Sequence, residues 1–387
     1  MSYYIDLGEM ESYPSKNIHV KALDGWRGVA CLFVFFTHSG VNLHVFNIPI
    51  YGAVGVHLFF VLSGYLLYKP FIIKLLEQNT FPSFSKFYIR RFLRIYPPYL
   101  LALVFFILLR YISKSHPPEP FNIFTHLILI SNYLGSKNFF SINAVFWTLT
   151  IEAQFYLLLP LTTLIVYKLT NKEPRKSLII TVLLMLFIGV IARATEFFLF
   201  DYSSPEFPNP VRFRSVFSFL DLFGFGMLTA YLEYVLSSQI LKKPRYYGNV
   251  TCTIGILVFI ATNAWFSSIG SNWMLIDNPW AVTLFPVFSC LAISVILLSI
   301  VTWRNYMNKI LSLKPIVLIG EVSYSLYLYH MAVQLLVAKF LLVDAIKDIS
   351  LHNYVLATAS FFPTIIISVL MYRLVEKPSL ALVARFR

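Results

Sequence analysis

The apolar residues of this chain are gathered into about ten blocks of roughly 20 residues, the length that an α-helix needs to cross the hydrocarbon core of a bilayer. Hydrophobic residues make up 58% of the 387 positions, whereas charged residues make up only 13%. A soluble helix would instead keep a polar face toward water. The pattern therefore predicts an all-α polytopic membrane protein with about ten transmembrane helices.

These spans account for nearly the whole chain, so one membrane domain is expected at 23–376. A cytoplasmic segment at 1–22 would precede it, and a short cytoplasmic tail at 377–387 would follow it. The predicted spans lie near 23–42, 51–76, 96–113, 146–170, 177–200, 214–236, 248–266, 280–302, 316–343 and 354–376.

Lys and Arg are distributed unevenly over the predicted connectors. With both termini in the cytoplasm, 22 of the 31 basic residues fall on the cytoplasmic side and 8 on the other, while Arg27 lies within the first span. This bias follows the positive-inside rule. Contact with anionic lipid accounts for most of the net charge of +13, so no nucleic-acid partner is expected.

Several common signatures of catalysis are missing from the sequence. It contains no GxSxG, HExxH or GxxxxGK(S/T) segment, which excludes the usual hydrolase triad, zinc protease and P-loop classes. Cys31, Cys252 and Cys290 lie within apolar blocks at spacings that fit neither a disulfide framework nor a metal site. Neither a metal ion nor a tightly bound cofactor is expected.

The first predicted span contains an arginine and a histidine, which are costly to place in contact with lipid. Arg27 and His38 are eleven residues apart, which on a helix is about three turns and roughly 16 Å, so both lie on nearly one face. Arg27 is close enough to the cytoplasmic end to extend its side chain toward water. His38 lies deeper, about 15 residues into the span.

Other ionisable residues fall at about the same predicted depth as His38. Counting along spans of alternating direction gives this set as His57, Glu152, Arg193, Asp221 and His330. Each alone is explained by hydrogen bonding between helices, but six at one level favour a buried polar chamber. A histidine beside a carboxylate can act there as a general base or as a nucleophile toward an acyl group, and proton-coupled transport also remains open.

Six segments in order resemble the integral-membrane acyltransferase 3 family, which comprises O-acyltransferases of bacterial surface glycans and related lipids. They are LDGWRGVACLFVFFTH, GAVGVHLFFVLSGYLL, RRFLRIYPPY, FWTLTIEAQFYLLLPL, SYSLYLYH and YRLVEKP. Two positions depart from the family pattern. His57 stands where an acidic residue is usual, and Thr148 stands where a serine is frequent.

The resemblance implies a ten-helix core that moves an acyl group, usually acetyl, from cytoplasmic acyl-CoA to a hydroxyl outside. The acceptor would be a glycan or glycolipid such as lipopolysaccharide O-antigen, and acyl-CoA would be the donor substrate. His38, oriented or charge-compensated by Glu152, is the expected catalytic group. The residues expected to bind the coenzyme A phosphates are Arg27, Arg90, Arg91 and Arg94.

A further set of residues is expected to shape or support the chamber. These are Asp24, His57, Ser63, Trp147, Arg193, Asp221, Tyr324 and His330. Glu376 is instead expected to pair with Arg373 or Lys377 at the membrane face. Aromatic residues of the outer connectors are candidates for stacking on sugars, although membrane interfaces favour the same residue types. They are Phe139, Phe140, Phe207, Trp273 and Trp280.

The expected setting is the bacterial inner membrane, in which the chain would be a multi-pass protein. Its expected partners are acyl-CoA, a glycan or lipid-linked sugar acceptor and membrane lipids, with homo-oligomerisation left open. About ten residues follow the last span, so the SGNH esterase-like domain that is fused to some relatives is expected to be absent. Two other functions stay open, a proton-coupled transporter of a lipid-linked or acylated substrate and a scaffold whose buried charges only pair helices.

Overall fold

The structure is a computed structural model that describes residues 16–41, 43–45, 48–50, 52–112, 117–133, 141–199, 215–240, 245–269, 278–303, 305–341 and 346–383. The helices are α1 (Lys16–His38), α2 (Ala53–Leu76), α3 (Phe84–Ile112), α4 (Pro120–Leu127), α5 (Phe146–Leu169), α6 (Pro174–Leu199), α7 (Leu220–Ile240), α8 (Arg245–Ser268), α9 (Pro279–Thr302), α10 (Tyr306–Leu311), α11 (Lys314–Glu321), α12 (Ser323–Phe340), α13 (Ile349–Met371) and α14 (Lys377–Val383). A small antiparallel hairpin, β1 (Leu43–Val45) and β2 (Ile48–Ile50), follows α1.

Each predicted span corresponds to one helix or to one pair of helices. In the described part of the chain, eight helices are long and apolar enough to cross a bilayer, and the pair α11 and α12 meets the same requirement with a bend of 79° between its members. Helix α1 is not among them, and its N-terminal half contains Lys21, Asp24 and Arg27. The all-α polytopic class is confirmed.

Helix α1 packs against α2 on one side and against the segment from α10 to α12 on another. It contacts α2, α10, α11 and α12. A Cβ atom on Gly25 would overlap the carbonyl oxygen of Leu311, and a Cβ atom on Gly320 would overlap the carbonyl oxygen of Asp24. Because small residues let helix backbones approach one another, Gly25 holds α1 directly against the end of α10, and Gly320 holds it against α11. These contacts fix the position of the polar residues on α1.

A second close contact joins α2 and α7. Gly64 faces the carbonyl oxygen of Phe223, and Gly226 faces the carbonyl oxygen of Val61, in both cases with no room for a Cβ atom. The ring of Phe223 stacks on that of Phe155 in α5, with centroids 3.9 Å apart. Helices α2, α5 and α7 are therefore packed as one group beside α1.

Helix α3 begins earlier than the apolar pattern predicts. The predicted span starts near residue 96, whereas the helix starts at Phe84 and continues through Pro97 and Pro98. The basic RRFLR segment is thus helical rather than part of a connector. Its charges shortened the predicted span, because a hydropathy window counts them against membrane insertion.

Helix α13 ends in a π turn, Tyr372–Glu376, and continues into α14. Helix α14 returns to α3, where the hydroxyl group of Ser379 donates a 2.5 Å hydrogen bond to the carbonyl oxygen of Leu93. Single π turns occur often at functional positions in helices. Here the turn joins the end of the chain's last long helix to the arginine-rich part of α3.

Some sequence predictions fall outside the described residues. This applies to Phe139, Phe140, Phe207 and Trp273, and to much of the predicted terminal segments. Trp280 is described and is 70% exposed at the start of α9.

Replacing Gly320 by alanine is expected to destabilise the protein by about 1–3 kcal/mol, the usual cost of overpacking. The new methyl group would meet backbone atoms of Asp24, which cannot move aside without shifting α1. Gly224→Ala is the matched control, since its nearest contacts begin at 3.1 Å with the side chain of Leu186. Thermal unfolding in detergent should show the larger loss for Gly320→Ala, and equal melting temperatures would contradict this account of the α1–α11 contact.

Candidate functional site

The described residues enclose a cavity of about 90 Å³ between α1, α2, α3, α5, α12 and the π turn. This is room for a few water molecules. Its wall combines an apolar lining with ionisable and hydroxyl side chains. Those polar residues are Arg27, Ser63, Arg91, Arg94, Thr148, Glu152, Tyr156, Ser323, Tyr324, Tyr327 and Glu376.

Three of the four arginines predicted to bind phosphates lie in the cavity wall. Arg27 comes from α1, and Arg91 and Arg94 come from α3. Arg90 is not part of the wall, and its Nε donates a 3.1 Å hydrogen bond to the carbonyl oxygen of Lys86 one turn earlier. The prediction treated the RRFLR segment as a group, but successive helix positions are rotated by about 100°, so Arg90 and Arg91 point in different directions.

The guanidinium group of Arg91 is held by two aromatic rings. Its Cζ atom lies 5.7 Å from the ring centroids of both Phe87 and Tyr156. Its Nε atom is buried and has no hydrogen-bond partner. The cation–π contacts orient the charge without satisfying its N–H groups. Arg91 therefore retains hydrogen-bonding capacity for an anionic ligand.

Arg27 and Asp24 form an ion pair one turn apart on α1, with N–O separation 3.7 Å. The side chain of Asp24 is 3% exposed, and its Oδ2 atom has no hydrogen-bond partner. Asp24 is not part of the cavity wall. Its ion pair with Arg27 is its contact with a residue of the wall.

Two carboxylates face the arginines across the cavity. Glu152 Oε1 accepts hydrogen bonds from Ser63 Oγ at 2.7 Å and from the hydroxyl group of Tyr156 at 2.6 Å. Glu376 is 3% exposed and accepts a 2.9 Å hydrogen bond from Ser325 Oγ. The cavity thus has three guanidinium groups and two carboxyl groups, an arrangement suited to a polar and partly charged ligand.

The sequence predicted an ion pair of Glu376 with Arg373 or Lys377 at the membrane face, but the side chain of Glu376 is buried in the cavity wall. The π turn that ends at Glu376 places its side chain in the cavity wall. The two neighbouring basic residues in the segment suggested surface ion pairs. A π turn adds a residue to the helical repeat, and a count based on a regular helix cannot anticipate the new direction.

His38 pairs with His330 outside the cavity wall. Nδ1 of His330 lies 2.9 Å from the carbonyl oxygen of Tyr327 and 3.2 Å from that of Leu326, so this nitrogen is the donor and Nε2 is an acceptor. Nδ1 of His38 lies 2.9 Å from the carbonyl oxygen of Val34 and 3.3 Å from Nε2 of His330, which are both acceptors. Neutral His38 therefore has its lone pair on Nε2.

The lone pair of His38 is open to a reactant. His330 is fully buried, whereas His38 is exposed at the end of α1. Among the described residues, Nε2 of His38 has no hydrogen-bond partner. The contacts of Nδ1 fix the tautomer of His38, and its Nε2 is left as the nitrogen that could act as a base or a nucleophile.

The predicted contact between His38 and Glu152 is not present. Within the described ranges, no hydrogen bond joins them, because Glu152 is bonded to Ser63 and Tyr156 while His38 faces His330. Helical rise gave similar depths for the two residues, but depth does not say on which side of a helix bundle a side chain lies. His330, expected only to support the chamber, is the group that contacts His38.

Three other members of the predicted polar layer lie away from both sites. Arg193 and Asp221 form a fully buried ion pair, and Arg193 also donates hydrogen bonds to the carbonyl oxygens of Ser218 (3.0 and 3.2 Å) and Thr283 (2.9 Å). His57 lies 2.9 Å from Ser289 Oγ. These contacts join α2, α6, α7 and α9 and have no part in the cavity wall.

The two remaining predicted residues differ in their relation to the cavity. Tyr324 lies in its wall and donates a 2.9 Å hydrogen bond to the carbonyl oxygen of Ile95. Trp147 packs with Phe219 at a centroid distance of 5.4 Å and is not in the wall.

The acyltransferase 3 family model, described as an acyltransferase domain, matches residues 20–373. The chain is 27% identical over 374 residues to the peptidoglycan O-acetyltransferase OatA of Listeria monocytogenes serovar 1/2a. It is 27% identical over 382 residues to a putative O-acetyltransferase of Staphylococcus aureus strain COL, and 26% identical over 374 residues to the O-acetyltransferase OatA of S. aureus strain NCTC 8325.

These alignments cover 93% of this chain but only 56–57% of each relative. The chain therefore spans little more than half the length of the curated relatives it matches. No solved structure matches it.

Arg193→Ala is expected to destabilise the protein by about 3–5 kcal/mol, because Asp221 would remain as an uncompensated buried charge. Lys176→Ala is the matched control, since its ion pair with Glu173 is more than half exposed and should contribute no more than about 1 kcal/mol. Thermal unfolding in detergent measures both effects. A variant that unfolds like the wild type but loses turnover would instead place Arg193 in the reactive site.

Proposed function

The chain belongs to the acyltransferase 3 family, and on that premise we propose that it is a membrane O-acetyltransferase. The donor is acetyl-CoA from the cytoplasm, and the acceptor is a hydroxyl group of an extracytoplasmic glycan. The observation that carries this proposal is that the exposed His38 imidazole contacts His330, which lies one helical turn after Tyr327 in the wall of a cavity lined by three arginines.

The arginines of the cavity wall suit the phosphate groups of coenzyme A, and the cavity, with room for only a few water molecules, would have to widen when the donor binds. Guanidinium groups bind phosphate through paired, charge-assisted hydrogen bonds. Arg91 has an unsatisfied N–H group, and Arg94 lies on the same wall one turn later. Arg27 lies on α1, the helix that ends at His38. The phosphates of the donor would bind at these three charges, with the thioester extending toward His38.

Two routes of transfer are compatible with the lone pair on His38 Nε2. In the direct route, Nε2 takes the proton of the acceptor hydroxyl, the oxygen forms a bond to the thioester carbon, the C–S bond breaks, and the thiolate recovers the proton. In the covalent route, Nε2 forms a C–N bond as the C–S bond breaks and the thiolate leaves. The acceptor oxygen then bonds to the acyl carbon, the C–N bond breaks, and the thiolate takes up the hydroxyl proton. Both routes yield an ester and free coenzyme A.

His330 would act by positioning in either route. Its Nε2 accepts from His38 Nδ1, which keeps the reactive lone pair on the opposite nitrogen. This is the role that the sequence assigned to Glu152. Glu152 and Glu376 would instead balance the cavity arginines before the donor binds.

The acceptor class is supported by the family and by the names of relatives. The Listeria relative is named for peptidoglycan, whereas the sequence resemblance suggested a glycolipid such as lipopolysaccharide O-antigen. Both offer sugar hydroxyls outside the cytoplasmic membrane. The proposed location is accordingly the bacterial inner, or plasma, membrane.

His38→Ala is expected to lower acetyl transfer at least about 100-fold, the lower range of effect for a general acid–base group. The measurement is release of free coenzyme A from acetyl-CoA by the purified chain in nanodiscs, with and without glycan fragments. Its three cysteines are buried and should contribute little to thiol detection. The matched control is His44→Ala, an exposed residue of the hairpin after α1.

Equal turnover by His38→Ala and wild type would exclude the proposed role. Substrate flux into sealed vesicles without release of coenzyme A would instead support the proton-coupled transporter. Stoichiometric coenzyme A release in the absence of acceptor would favour the acyl-imidazole route. Mass spectrometry of the modified fragments would then separate peptidoglycan from lipopolysaccharide as the acceptor.

His330→Ala is expected to lower kcat for acetyl transfer by about tenfold or more while leaving KM for acetyl-CoA unchanged, since it removes only the orientation of the base. Steady-state kinetics in nanodiscs measure both parameters. His330→Gln retains a side-chain acceptor and should recover part of kcat. A rise in KM without a fall in kcat would show that His330 contributes to donor binding instead.

A further inference from the structure

Tyr327 lies at the boundary between the two halves of the site. Its side chain is part of the cavity wall, together with Thr148. It is also one helical turn before His330 on α12, and the two rings are 6.0 Å apart. His330 in turn lies 5.0 Å from His38, measured between ring centroids. The Tyr327 ring is thus between the cavity and the histidine pair.

The ring is held in this position from three directions. Its hydroxyl group lies 2.5 Å from Thr148 Oγ1 and donates a 3.2 Å hydrogen bond to the carbonyl oxygen of Val145. Phe59 of α2 packs edge-on against it, with centroids 5.9 Å apart. Tyr327 and Thr148 are both only 6% exposed. These contacts join α12 to α5 and α2 across the end of the cavity.

We infer that Tyr327 is a specificity-determining residue that limits the length of the acyl group transferred. This inference rests on the proposed function, because it concerns the group that travels from coenzyme A in the cavity to His38. An acetyl group adds one methyl group beyond the carbonyl carbon and needs little displacement of the ring. A longer chain must occupy the volume of the ring itself, which Phe59 and Thr148 hold in place.

The expected selectivity follows from the usual cost of misfit in an apolar pocket. One methylene group changes the specificity of an enzyme by about 10–200-fold. The wild-type chain should therefore turn over acetyl-CoA at least about tenfold faster than hexanoyl-CoA, compared as kcat/KM. Removing the ring of Tyr327 should make room for the longer acyl chain and so reduce the ratio of kcat/KM for acetyl-CoA to that for hexanoyl-CoA.

The test compares kcat/KM for acetyl-CoA, butyryl-CoA and hexanoyl-CoA in nanodiscs containing the full chain. Tyr327→Ala is expected to lower the acetyl-to-hexanoyl ratio by about tenfold or more. Tyr327→Phe retains the ring but loses its hydrogen bonds, so it should lower the ratio by a smaller factor. Thr148→Val removes only the hydrogen bond between the two hydroxyl groups and leaves the one to Val145, so it should lower the ratio no more than Tyr327→Phe does.

Tyr329→Ala is the matched control, because it removes an equally large buried ring from the same helix. Tyr329 packs against Phe105 and is not in the cavity wall. It should lower stability without changing the ratio. If Tyr327→Ala fails to fold, Tyr327→Leu makes a smaller cavity and tests the same point.

The inference is overturned if the ratio stays at its wild-type value in the Tyr327 variants that retain acetyl turnover, or if Tyr329→Ala lowers it equally. A wild-type chain that turns over acetyl-CoA and hexanoyl-CoA equally well also overturns it, while the proposed function stands. A wild-type chain that releases coenzyme A from no donor rejects the proposed function and, with it, this inference.

Discussion

A charged side chain inside a membrane-spanning helix needs either a partner of opposite charge or access to water, because lipid offers neither. The described residues meet this requirement in two different ways. Arg193 and Asp221 form a fully buried ion pair, and the carbonyl oxygens of Ser218 and Thr283 accept further hydrogen bonds from the guanidinium group. The arginines on α1 and α3 instead share a cavity with two carboxylates. The first arrangement builds the helix bundle, and the second leaves space for a ligand.

The cavity exists because several helices depart from regular geometry. The 79° bend between α11 and α12 begins a new helix at Ser323, and both Ser323 and Tyr324 line the cavity. The π turn after α13 brings Glu376 to the same space. Glycine contacts between α1 and α11 let Arg27 approach from the other side. Straight helices of the same sequence would place these polar groups along separate helix faces.

The arrangement of polar groups divides the proposed reaction into two regions. In the proposed reaction, the phosphates of the donor would bind at the arginine cavity, and the reactive nitrogen would be that of His38 at the exposed end of α1. Tyr327 and Thr148 lie between them, joined by a short hydrogen bond. A membrane enzyme with substrates on opposite faces needs such a division, because an open passage would also conduct water and ions. The proposed reaction also requires a histidine whose protonated nitrogen is fixed, and the contact with His330 leaves the lone pair of His38 on Nε2.

The sequence determined the membrane class, the approximate spans and the family, and it showed Arg27, Arg91, Arg94, Glu152 and His38 as polar residues in or beside apolar segments. These follow from hydropathy, helical rise and local motifs, which are properties of one segment at a time. Only the tertiary structure decided which of these residues meet. It paired His38 with His330 rather than Glu152, set Arg193 and Asp221 apart, and brought Glu376 to the cavity. The physical reason is that the sequence of one helix defines how deep each of its residues lies and on which side of that helix. Bends, π turns and glycine contacts between helices then decide which of these sides face each other.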